Sequence, residues 1–555
     1  MVHLIIAVIP ARGGSKGILR KNLRLLSGVP LISYSIRAAN ECELVDEVLV
    51  TTDDEEIADF ASSMEVLVRM RPSELGADNI PLDPVIVDAV EWFEKLSDSK
   101  VEIVITIQPT SPLLVPSLLE EALNSFTDKN CDSLISVVDN THLGWVEASN
   151  EILPDYDKRI NRQWLPKKFK ETGAFVICKR HLLKEGKRIG GKTIVFEVPE
   201  EVAVDIDSPT DWLICSALLN RMKIGFIVTA NNETGMGHLY RALTLADYWL
   251  GNDVFFVLYC SDEKARNLVS SKGYRFIETS SLNTIINEVT SGQLVINDLL
   301  DTDLEYISEL KKKEVFVVNF EDLGSGSMKA DLVINALYER FNPPNNHFYG
   351  FQYECLRTDF LMRKPNEYSD RVKSIIVTFG GADPANLTRT TLEALEHLKD
   401  SVRIRVIVGP AYRYKSELQE YIDNIWQGRN IEVYESVSNM AKMMEGIDLA
   451  ITSNGRTIYE LTSMKIPIIS VAQNDRETMH LFARYSEGIE YIGIACSTTK
   501  ENLSQALDKI IKDDKLRKTM YDALPAKEVR RGIFNVTELI ENEFRRWKNE
   551  RNLNW

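Results

Sequence analysis

Residues that could bind phosphate are concentrated near the start of the chain. From Ile9 the sequence reads Ile-Pro-Ala-Arg-Gly-Gly-Ser-Lys-Gly, and Arg20-Lys-Asn follows shortly after. Glycines let the backbone approach a polyphosphate, and the interleaved cations can donate charge-assisted hydrogen bonds to its oxygens. A glycine-rich turn alone is often only a turn. The added cations favour a triphosphate site, formed by Arg12, Gly13, Gly14, Lys16, Gly17 and Lys21.

Two aspartates with a spacing of two residues suggest a metal site. Asp205 and Asp207 flank Ile206, and on an extended segment their side chains would point to the same side. Such carboxylates can hold a divalent cation, which would offset the charge of a reacting phosphate. The alternative is a surface turn followed by a helix N-cap, where Asp and Ser are common. Next to a phosphate-binding loop, we favour the metal site.

A histidine follows a second glycine-rich turn, in the segment Asn231-Asn-Glu-Thr-Gly-Met-Gly-His. Gly235 and Gly237 would turn a strand into a helix and leave His238 near the N-terminus of that helix. The helix dipole disfavours the imidazolium form there, so His238 should be neutral and able to act as a general base. The alternative is a histidine with a structural role.

Polar turns at predicted helix starts later in the chain suit a nucleotide. Backbone amides at a helix N-terminus bind a diphosphate, and a carboxylate one turn into the helix can hold ribose hydroxyls. We expect this part of the chain to bind the nucleotide, through Gly380, Gly381, Asp383, Ser453, Gly455, Glu460, Gln473 and Asn474.

The candidate binding residues follow predicted strands, so they form sites only where the ends of those strands lie together. Up to about residue 220, short β-branched runs alternate with amphipathic stretches, which predicts a doubly wound α/β sheet with ligands beyond the carboxyl ends of its strands. The pattern restarts with a strand at Lys223, and a Pro/Asn-rich passage at 341–346 divides the second half. We therefore expect domains at 1–221, 222–365 and 366–555, the last two as similar lobes around a cleft. Thr537–Trp547 should form an amphipathic helix that closes the fold.

Composition excludes several classes of protein. The 555 residues include 65 Lys and Arg against 82 Asp and Glu, for a net charge of −17. This acidity disfavours nonspecific binding to nucleic acid or anionic lipid. Seven cysteines without a CxxC spacing suggest neither a disulfide framework nor a zinc site, and fit a reducing cytoplasm. The apolar run Leu4–Ile9 is too short to cross a bilayer, so we expect no membrane span and no export signal.

Several separated motifs give residues 3–220 a resemblance to CMP-sialic acid synthetases, the acylneuraminate cytidylyltransferase family. Besides the first loop, they are Leu31-Ile-Ser-Tyr-Ser-Ile, Thr51-Thr-Asp-Asp, Arg71-Pro-Ser-Glu-Leu-Gly-Ala-Asp, Gln108-Pro-Thr-Ser-Pro-Leu, Arg162-Gln-Trp-Leu-Pro, Glu171-Thr-Gly-Ala and Asp205-Ile-Asp-Ser-Pro-Thr-Asp-Trp. The resemblance implies a Rossmann-like, glycosyltransferase-A-like domain. Its reaction would transfer CMP from CTP to a nine-carbon α-keto acid sugar, with Mg²⁺ as cofactor and pyrophosphate as product.

The resemblance also implies roles for individual residues. Arg12, Lys21 and Asp207 become candidates for catalysis, and a homodimer through this domain is a further expectation. Leu19 and Leu114 depart from the family pattern and leave the identity of the sugar open. The implied CTP contacts are Arg12, Ser15, Lys16, Lys21 and Asn22, and the residues implied on the sugar side are Gln108, Thr110, Ser111, Arg162 and Gln163.

Residues 223–540 resemble the UDP-sugar hydrolase of pseudaminic acid biosynthesis, a relative of two-lobed glycosyltransferase-B-like enzymes. The pattern Gly350…Tyr353…Leu356-Arg357…Phe360 agrees with this resemblance. It implies that His238 activates water, that no cofactor is needed, and that UDP is framed by the polar turns named above together with Gly235, Gly237 and Arg241. Where the hydrolase has an Asp-His-Tyr cluster, this chain has Ile296-Asn-Asp-Leu-Leu-Asp-Thr. Asp298 or Asp301 either replaces its polar role or caps a helix.

The sequence thus predicts a bifunctional enzyme that activates nonulosonic acids of the sialic, legionaminic or pseudaminic type. One half would be a cytidylyltransferase, and the other would hydrolyse a UDP-linked diacetamido-trideoxy hexose with inversion. The substrates would be CTP, a nonulosonic acid and a UDP-amino sugar. Two alternatives keep the first half: the second half is then a glycosyltransferase that uses a glycan acceptor, or a noncatalytic sensor of nucleotide sugars.

Overall fold

Three large β-sheets form the framework of the chain: one is mixed, and in the other two all neighbouring strands are parallel. This computed structural model describes residues 3–14, 17–77, 80–148, 151–231, 235–340, 342–398, 402–435, 437 and 439–551. The chain divides into two compact units, Met1–Arg221 and Met222–Trp555.

The N-terminal unit is built on a seven-stranded sheet in the order β11-β7-β10-β6-β1-β4-β5. Strand β10 runs antiparallel to both neighbours, which the alternation of strands and helices in the sequence does not predict. Two short hairpins, β2-β3 and β8-β9, lie outside the sheet. The strands are β1 (His3–Pro10), β2 (Leu25–Leu26), β3 (Val29–Pro30), β4 (Glu47–Thr52), β5 (Leu67–Met70), β6 (Lys100–Ile107), β7 (Ser133–Asp139), β8 (Trp145–Ala148), β9 (Glu151–Pro154), β10 (Phe169–Lys179) and β11 (Thr193–Glu197).

Amphipathic helices cover this sheet, with an apolar core on each face. In the longest of them, the buried residues Val85, Ile86, Ala89, Val90 and Phe93 recur every three to four positions and so form one face. The helices are α1 (Ile32–Asn40), α2 (Glu55–Ser63), α3 (Leu82–Ser97), α4 (Pro116–Asp128), α5 (Arg180–Lys184) and α6 (Pro209–Leu219).

The first lobe of the C-terminal unit has a seven-stranded sheet in the order β14-β13-β12-β15-β16-β17-β18. The order reverses at β12, the position where ligands of such sheets commonly bind. The strands are β12 (Lys223–Val228), β13 (Asp253–Tyr259), β14 (Arg275–Thr279), β15 (Leu294–Asp298), β16 (Phe316–Phe320), β17 (Leu332–Asn335) and β18 (His347–Tyr349). The helices are α7 (Gly237–Tyr248), α8 (Glu263–Ser271), α9 (Leu282–Glu288) and α10 (Leu304–Lys312). The short helix α11 (Thr358–Leu361) follows, and its Phe360 joins an apolar core of the second lobe.

The second lobe has a six-stranded sheet in the order β21-β20-β19-β22-β23-β24, with the reversal at β19. Its strands are β19 (Ser374–Thr378), β20 (Arg403–Val408), β21 (Ile431–Glu435), β22 (Leu449–Ser453), β23 (Ile468–Ala472) and β24 (Ile489–Ile494). The helices are α12 (Leu387–Leu395), α13 (Lys415–Ile425), α14 (Met440–Met444), α15 (Thr457–Ser463), α16 (Asp475–Thr478), α17 (Phe482–Tyr485), α18 (Thr499–Lys512), α19 (Asp514–Ala523) and α20 (Ala526–Arg530).

The last helix, α21 (Gly532–Glu550), returns to the first lobe, although the predicted domain limits placed it in the second. Its buried residues join the apolar core around Phe226 and Phe316. The ring of Phe544 lies 5.6 Å from that of Phe316. The apolar face that the sequence predicts for this helix is therefore used to cover the first lobe.

The α/β fold class predicted from the sequence is confirmed in both units. In the part of the chain that the structure describes, no helix combines the length and apolar character needed to cross a membrane.

The start of α21 provides a test of this arrangement. A Cβ added to Gly532 would lie 2.0 Å from the backbone oxygen of Glu354, so Gly532→Ala must displace the helix or the segment beneath it. Overpacking of this kind costs about 1–3 kcal/mol. We expect calorimetry of the full chain to show a lower melting temperature for the C-terminal unit. Glu538→Ala, an exposed position on the same helix, is the control, and equal melting temperatures for the two variants would contradict the packing.

Candidate functional site

In the N-terminal unit, a cavity of about 470 Å³ opens beyond the carboxyl ends of β1, β5 and β6. Parallel strands end at the same edge of a sheet, so the loops that follow them meet there. The structure brings together eight of the residues predicted from the sequence. Those that line the cavity are Arg12, Gly17, Lys21, Asn22, Gln108, Thr110, Asp205 and Asp207.

Lys21 joins the first loop to the aspartate segment. Its side chain is largely buried, and its Nζ lies 3.1 Å from Oδ1 of Asp207 and donates to the backbone oxygen of Ile206. Asn22 donates from Nδ2 to the backbone oxygen of Arg12 at 3.0 Å, which fixes the loop after β1. Residues separated by more than 180 positions in sequence thus form one charged surface.

The two aspartates fit a divalent cation. Helix α6 is capped by Ser208 and Asp211, so Asp205 and Asp207 are not needed as its caps. Burial raises the pKa of Asp205, as does the neighbouring charge of Asp207, and Oδ1 of Asp205 has no hydrogen-bond partner. A cation would offset both costs. No group of three or more His, Cys, Asp or Glu able to hold a metal occurs among the described residues, and Mg²⁺ commonly takes its remaining ligands from phosphate and water.

The glycines of the first loop have different roles. A Cβ on Gly17 would lie 2.2 Å from the backbone oxygen of Asp207, and one on Gly13 would lie 2.5 Å from a carboxylate oxygen of Asp54. A Cβ on Gly14 would meet nothing within 4 Å. Packing of the loop against its own unit therefore requires glycine at Gly13 and Gly17, and the phosphate access predicted from the sequence stays a prediction. Ser15 and Lys16, both predicted to contact CTP, lie outside the described residues.

Arg71 is a third cation of this cavity, to which the sequence assigned no role. Its side chain is 3% exposed and its Nη2 lies 2.8 Å from Oδ1 of Asp53. The same carboxylate oxygen accepts a hydrogen bond of 3.2 Å from the backbone of Gly13. The only sequence signal was its place in a motif shared with the family, since the pairing with Asp53 depends on the fold.

The residues predicted on the sugar side divide into two groups. Gln108 and Thr110 line the cavity, whereas Ser111 is buried behind it. Arg162 and Gln163 are exposed on a short 3-10 helix, Arg162–Trp164, and do not line the cavity. This helix follows the β8-β9 hairpin, so it does not start from the sheet edge where the cavity lies.

In the C-terminal unit, a cavity of about 520 Å³ lies between the two lobes. The loops after β12, β19 and β20, the start of α15 and the segment 354–357 form its walls. Six of the residues predicted for the nucleotide sugar line it, namely Gly235, Gly237, Arg241, Gly380, Gly381 and Glu460.

The other residues predicted for UDP do not line this cavity, and several make local structural contacts. The buried Asp383 accepts hydrogen bonds of 2.8 Å from the backbone of Leu387 and of Thr388 at the start of α12. Asn474 caps α16, and Gln473 donates from Nε2 to the backbone oxygen of Phe379 at 3.0 Å. Ser453 and Gly455 complete this group.

His238 is buried and lies outside the residues that line the cavity. Its Nδ1 is 2.6 Å from Oδ1 of Asp298, which also accepts two hydrogen bonds of 2.6 and 2.7 Å from Arg241. Burial opposes ionisation of Asp298, but Arg241 and His238 hold its pKa well below the usual range. An ionised Asp298 keeps the proton of His238 on Nδ1 and leaves Nε2 as the acceptor nitrogen.

Asp298 therefore takes a polar role opposite His238 and does not cap a helix. Asp301 accepts a hydrogen bond of 3.1 Å from the backbone of Leu323, and its Oδ2 lies 3.6 Å from Nη1 of Arg476 in the second lobe.

Glu354 and Arg456 are among the charged residues of this cavity that the sequence did not single out. Arg456 precedes α15 in the second lobe, and its guanidinium lies 3.7 Å from Glu354 and 3.5 Å from Glu321 in the first lobe. Glu354 lies inside the matched pattern Tyr353…Leu356-Arg357, at a position that the pattern leaves unspecified, so the pattern carried no signal for it.

Comparison with known families agrees with this two-part architecture. Residues 6–195 match the family model "Cytidylyltransferase", and residues 375–535 match "Glycosyltransferase family 28 C-terminal domain". The two-part architecture predicted from the two resemblances is confirmed, with a cytidylyltransferase match in the first half and a glycosyltransferase family 28 match in the second, and both units have the predicted α/β fold class.

Curated relatives match less than half of the chain. An uncharacterized protein of Methanocaldococcus jannaschii is 33% identical over 277 residues, which are 46% of this chain and 56% of that protein. N-acylneuraminate cytidylyltransferase A of Danio rerio is 36% identical over 215 residues, 38% of this chain and 49% of that protein. CMP-N,N'-diacetyllegionaminic acid synthase of Legionella pneumophila is 29% identical over 229 residues, 39% of this chain and 96% of that protein. The chain spans about half the length of the first two relatives.

Proposed function

We propose that the N-terminal unit transfers CMP from CTP to an acidic sugar of the sialic or legionaminic type, with release of pyrophosphate. The observation that carries this proposal is the ion pair between Lys21 and Asp207 in a cavity that also contains Arg12 and Arg71. Cations next to a pair of carboxylates suit a triphosphate bound with a divalent metal. The match to cytidylyltransferases over residues 6–195 and the names of the relatives support CTP and a nonulosonic acid as substrates.

Each residue of the cavity has a separate task in this proposal. Arg12, Lys21 and Arg71 attract the negative triphosphate, and Asn22 keeps the loop that carries Arg12 in place. Gln108 and Thr110 are available as hydrogen-bonding groups for the acceptor sugar. Asp205 and Asp207 would hold Mg²⁺, which when bound supplies positive charge to the reacting phosphate and the leaving pyrophosphate.

Lys21 tests the phosphate role. Lys21→Met keeps the aliphatic stem and removes the charge, so pyrophosphate release from CTP and a panel of nonulosonic acids should fall by about 10²–10³-fold. Lys129→Met, an exposed position of the same unit, is the control and should match the unaltered protein. Full activity of the Lys21 variant, or no pyrophosphate with every sugar in the panel, would refute the proposal.

The aspartates test the metal role. Asp205→Asn should raise the Mg²⁺ concentration needed for half-maximal pyrophosphate release, and Asp207→Ala should abolish turnover, because each removes a charged ligand. Binding of Mn²⁺ measured by electron paramagnetic resonance gives a second readout that does not require turnover. Asp128→Asn, exposed at the end of α4, is the control. Unchanged metal dependence in the Asp205 and Asp207 variants would remove the metal assignment.

For the C-terminal unit, we propose cleavage of the bond between UDP and an amino sugar. The support is the cavity between the lobes, where glycine turns follow the strands at which both sheets reverse. Water is the acceptor in our primary proposal, which makes the unit a hydrolase of a UDP-linked diacetamido-trideoxy hexose. Transfer to a glycan hydroxyl is the second candidate, favoured by the glycosyltransferase family 28 match over residues 375–535.

Product analysis separates the two candidates. The full-length protein is incubated with UDP-linked 2-acetamido and 2,4-diacetamido sugars, and products are identified by mass spectrometry. Free sugar plus UDP in the absence of any acceptor is the expected result for hydrolysis. Turnover only after addition of a glycan acceptor would replace hydrolysis by transfer. UDP-sugars that bind in calorimetry and remain intact under both conditions would refute both and favour a sensor.

A further inference from the structure

A buried carboxyl group faces the cavity between the lobes without a full set of hydrogen bonds. The side chain of Glu354 is 5% exposed, lines the cavity, and has no hydrogen-bond partner at Oε2. Its Oε1 lies 3.7 Å from Nη1 of Arg456, too far for a hydrogen bond. A buried polar atom in this state is costly to the fold, so its retention points to a ligand or a proton that uses it.

The groups around Glu354 set its charge state. Burial has the largest effect and raises the pKa of Glu354 to about 7, although Arg456 and Arg241 act in the opposite direction. Glu321 and Glu460 add to the increase. Near neutral pH the carboxyl group can therefore both take up and release a proton, as an efficient proton acceptor must.

Two further neighbours of Glu354 are uncharged, Tyr459 and Gly532. From α15, Tyr459 is buried nearby and donates its hydroxyl to the backbone oxygen of Ala336 at 2.8 Å. From α21, the contact is the backbone of Gly532, which has no side chain. This contact fixes the backbone of Glu354, so its carboxyl group is held on a rigid support.

His238 is less well placed to accept a proton from a bound substrate. It does not line the cavity, and its Nδ1 is held by Asp298, which is also bound by Arg241. Arg241 does line the cavity. His238 thus affects the cavity indirectly, because it orients Asp298 and, through Asp298, Arg241.

We propose that Glu354 accepts the proton of the attacking hydroxyl group in this cavity, and that His238 is a positioning residue which fixes Asp298 and Arg241. This inference rests on the proposed UDP-sugar cleavage, and it replaces His238 by Glu354 as the group that accepts the proton. In the step, the oxygen of water or of an acceptor hydroxyl forms a bond to the anomeric carbon. The bond from that carbon to the phosphate oxygen breaks, and its electron pair leaves with UDP. The proton of the attacking O–H passes to the Glu354 carboxylate and then to solvent.

The decisive variant is Glu354→Gln, which keeps the shape and removes the proton-accepting carboxylate. In the full-length protein, UDP release from the UDP-sugars named above should fall by at least about 100-fold, within the range for loss of a general base. The dissociation constant of UDP itself, measured by calorimetry, should stay within threefold. In the unaltered protein, kcat/KM should rise with pH through about 7 and level off above it, because the ionised form is the base. This rise with pH, the acidic limb of the pH profile, should be absent from Glu354→Gln. Glu354→Asp should restore part of the rate.

Two further variants control for folding and for the alternative base. Because burial disfavours the ionised form, Glu354→Gln should not lower the melting temperature at pH 8. Glu396→Gln, a half-buried carboxyl group in the second lobe outside the cavity, should behave as the unaltered protein. His238→Asn should lower the rate but keep the limb near pH 7.

The outcomes distinguish a wrong proton acceptor from a wrong proposed function. If Glu354→Gln turns over within threefold of the unaltered protein and keeps the pH limb, Glu354 is not the acceptor. Loss of the limb in His238→Asn alone would assign the role to His238. If the unaltered protein binds UDP and cleaves no UDP-sugar with or without an acceptor, the proposed function itself is wrong and this inference fails with it.

Discussion

A buried arginine holds the wall of the cavity in the C-terminal unit. Arg241 is 2% exposed, donates two hydrogen bonds to Asp298 and a third to Glu321, and its guanidinium lies 4.7 Å from the ring centre of Phe320. Arg241 belongs to the helix after the glycine turn, whereas the carboxylates belong to the neighbouring strand ends. Removing one partner of a buried pair costs about 3–5 kcal/mol. The position of the turn at Gly235 is therefore fixed by charge as well as by apolar packing.

The same rule explains how a chain with a net charge of −17 can have sites for anions. Three cations of the two cavities are paired with carboxylates: Lys21 with Asp207, Arg71 with Asp53, and Arg241 with Asp298. A buried cation without a partner would be costly, and pairing with a carboxylate offsets that cost at the edge of each cavity. The acidic residues are thus components of the sites and do not work against them.

The sequence predicted the fold well because strand ends are visible in it. Alternating apolar runs and glycine turns indicated three α/β sheets and the strand ends near which Arg12, Gln108 and Gly380 lie. The sequence alone could not distinguish a ligand-binding aspartate from one that caps a helix. Asp383 has a residue type and position that suit either role, and in the structure it accepts a hydrogen bond at the start of α12. Glu354 had no local signal, and Arg71 had only its place in a motif. Their importance comes from burial and from partners distant in sequence, which only the folded chain brings together.

One side chain connects ligand binding with proton affinity in the cavity between the lobes. Arg456 comes from the second lobe, and its distances to Glu354 and Glu321 permit charge attraction without a directional hydrogen bond. It also lines the cavity with Gly380 and Gly381. A phosphate bound there would compete with the two carboxylates for this guanidinium. Since Arg456 is the strongest attraction that lowers the pKa of Glu354, its engagement by phosphate would raise that pKa further. Phosphate binding would thus make the Glu354 carboxylate a stronger base, while a smaller fraction of it would be ionised at a given pH.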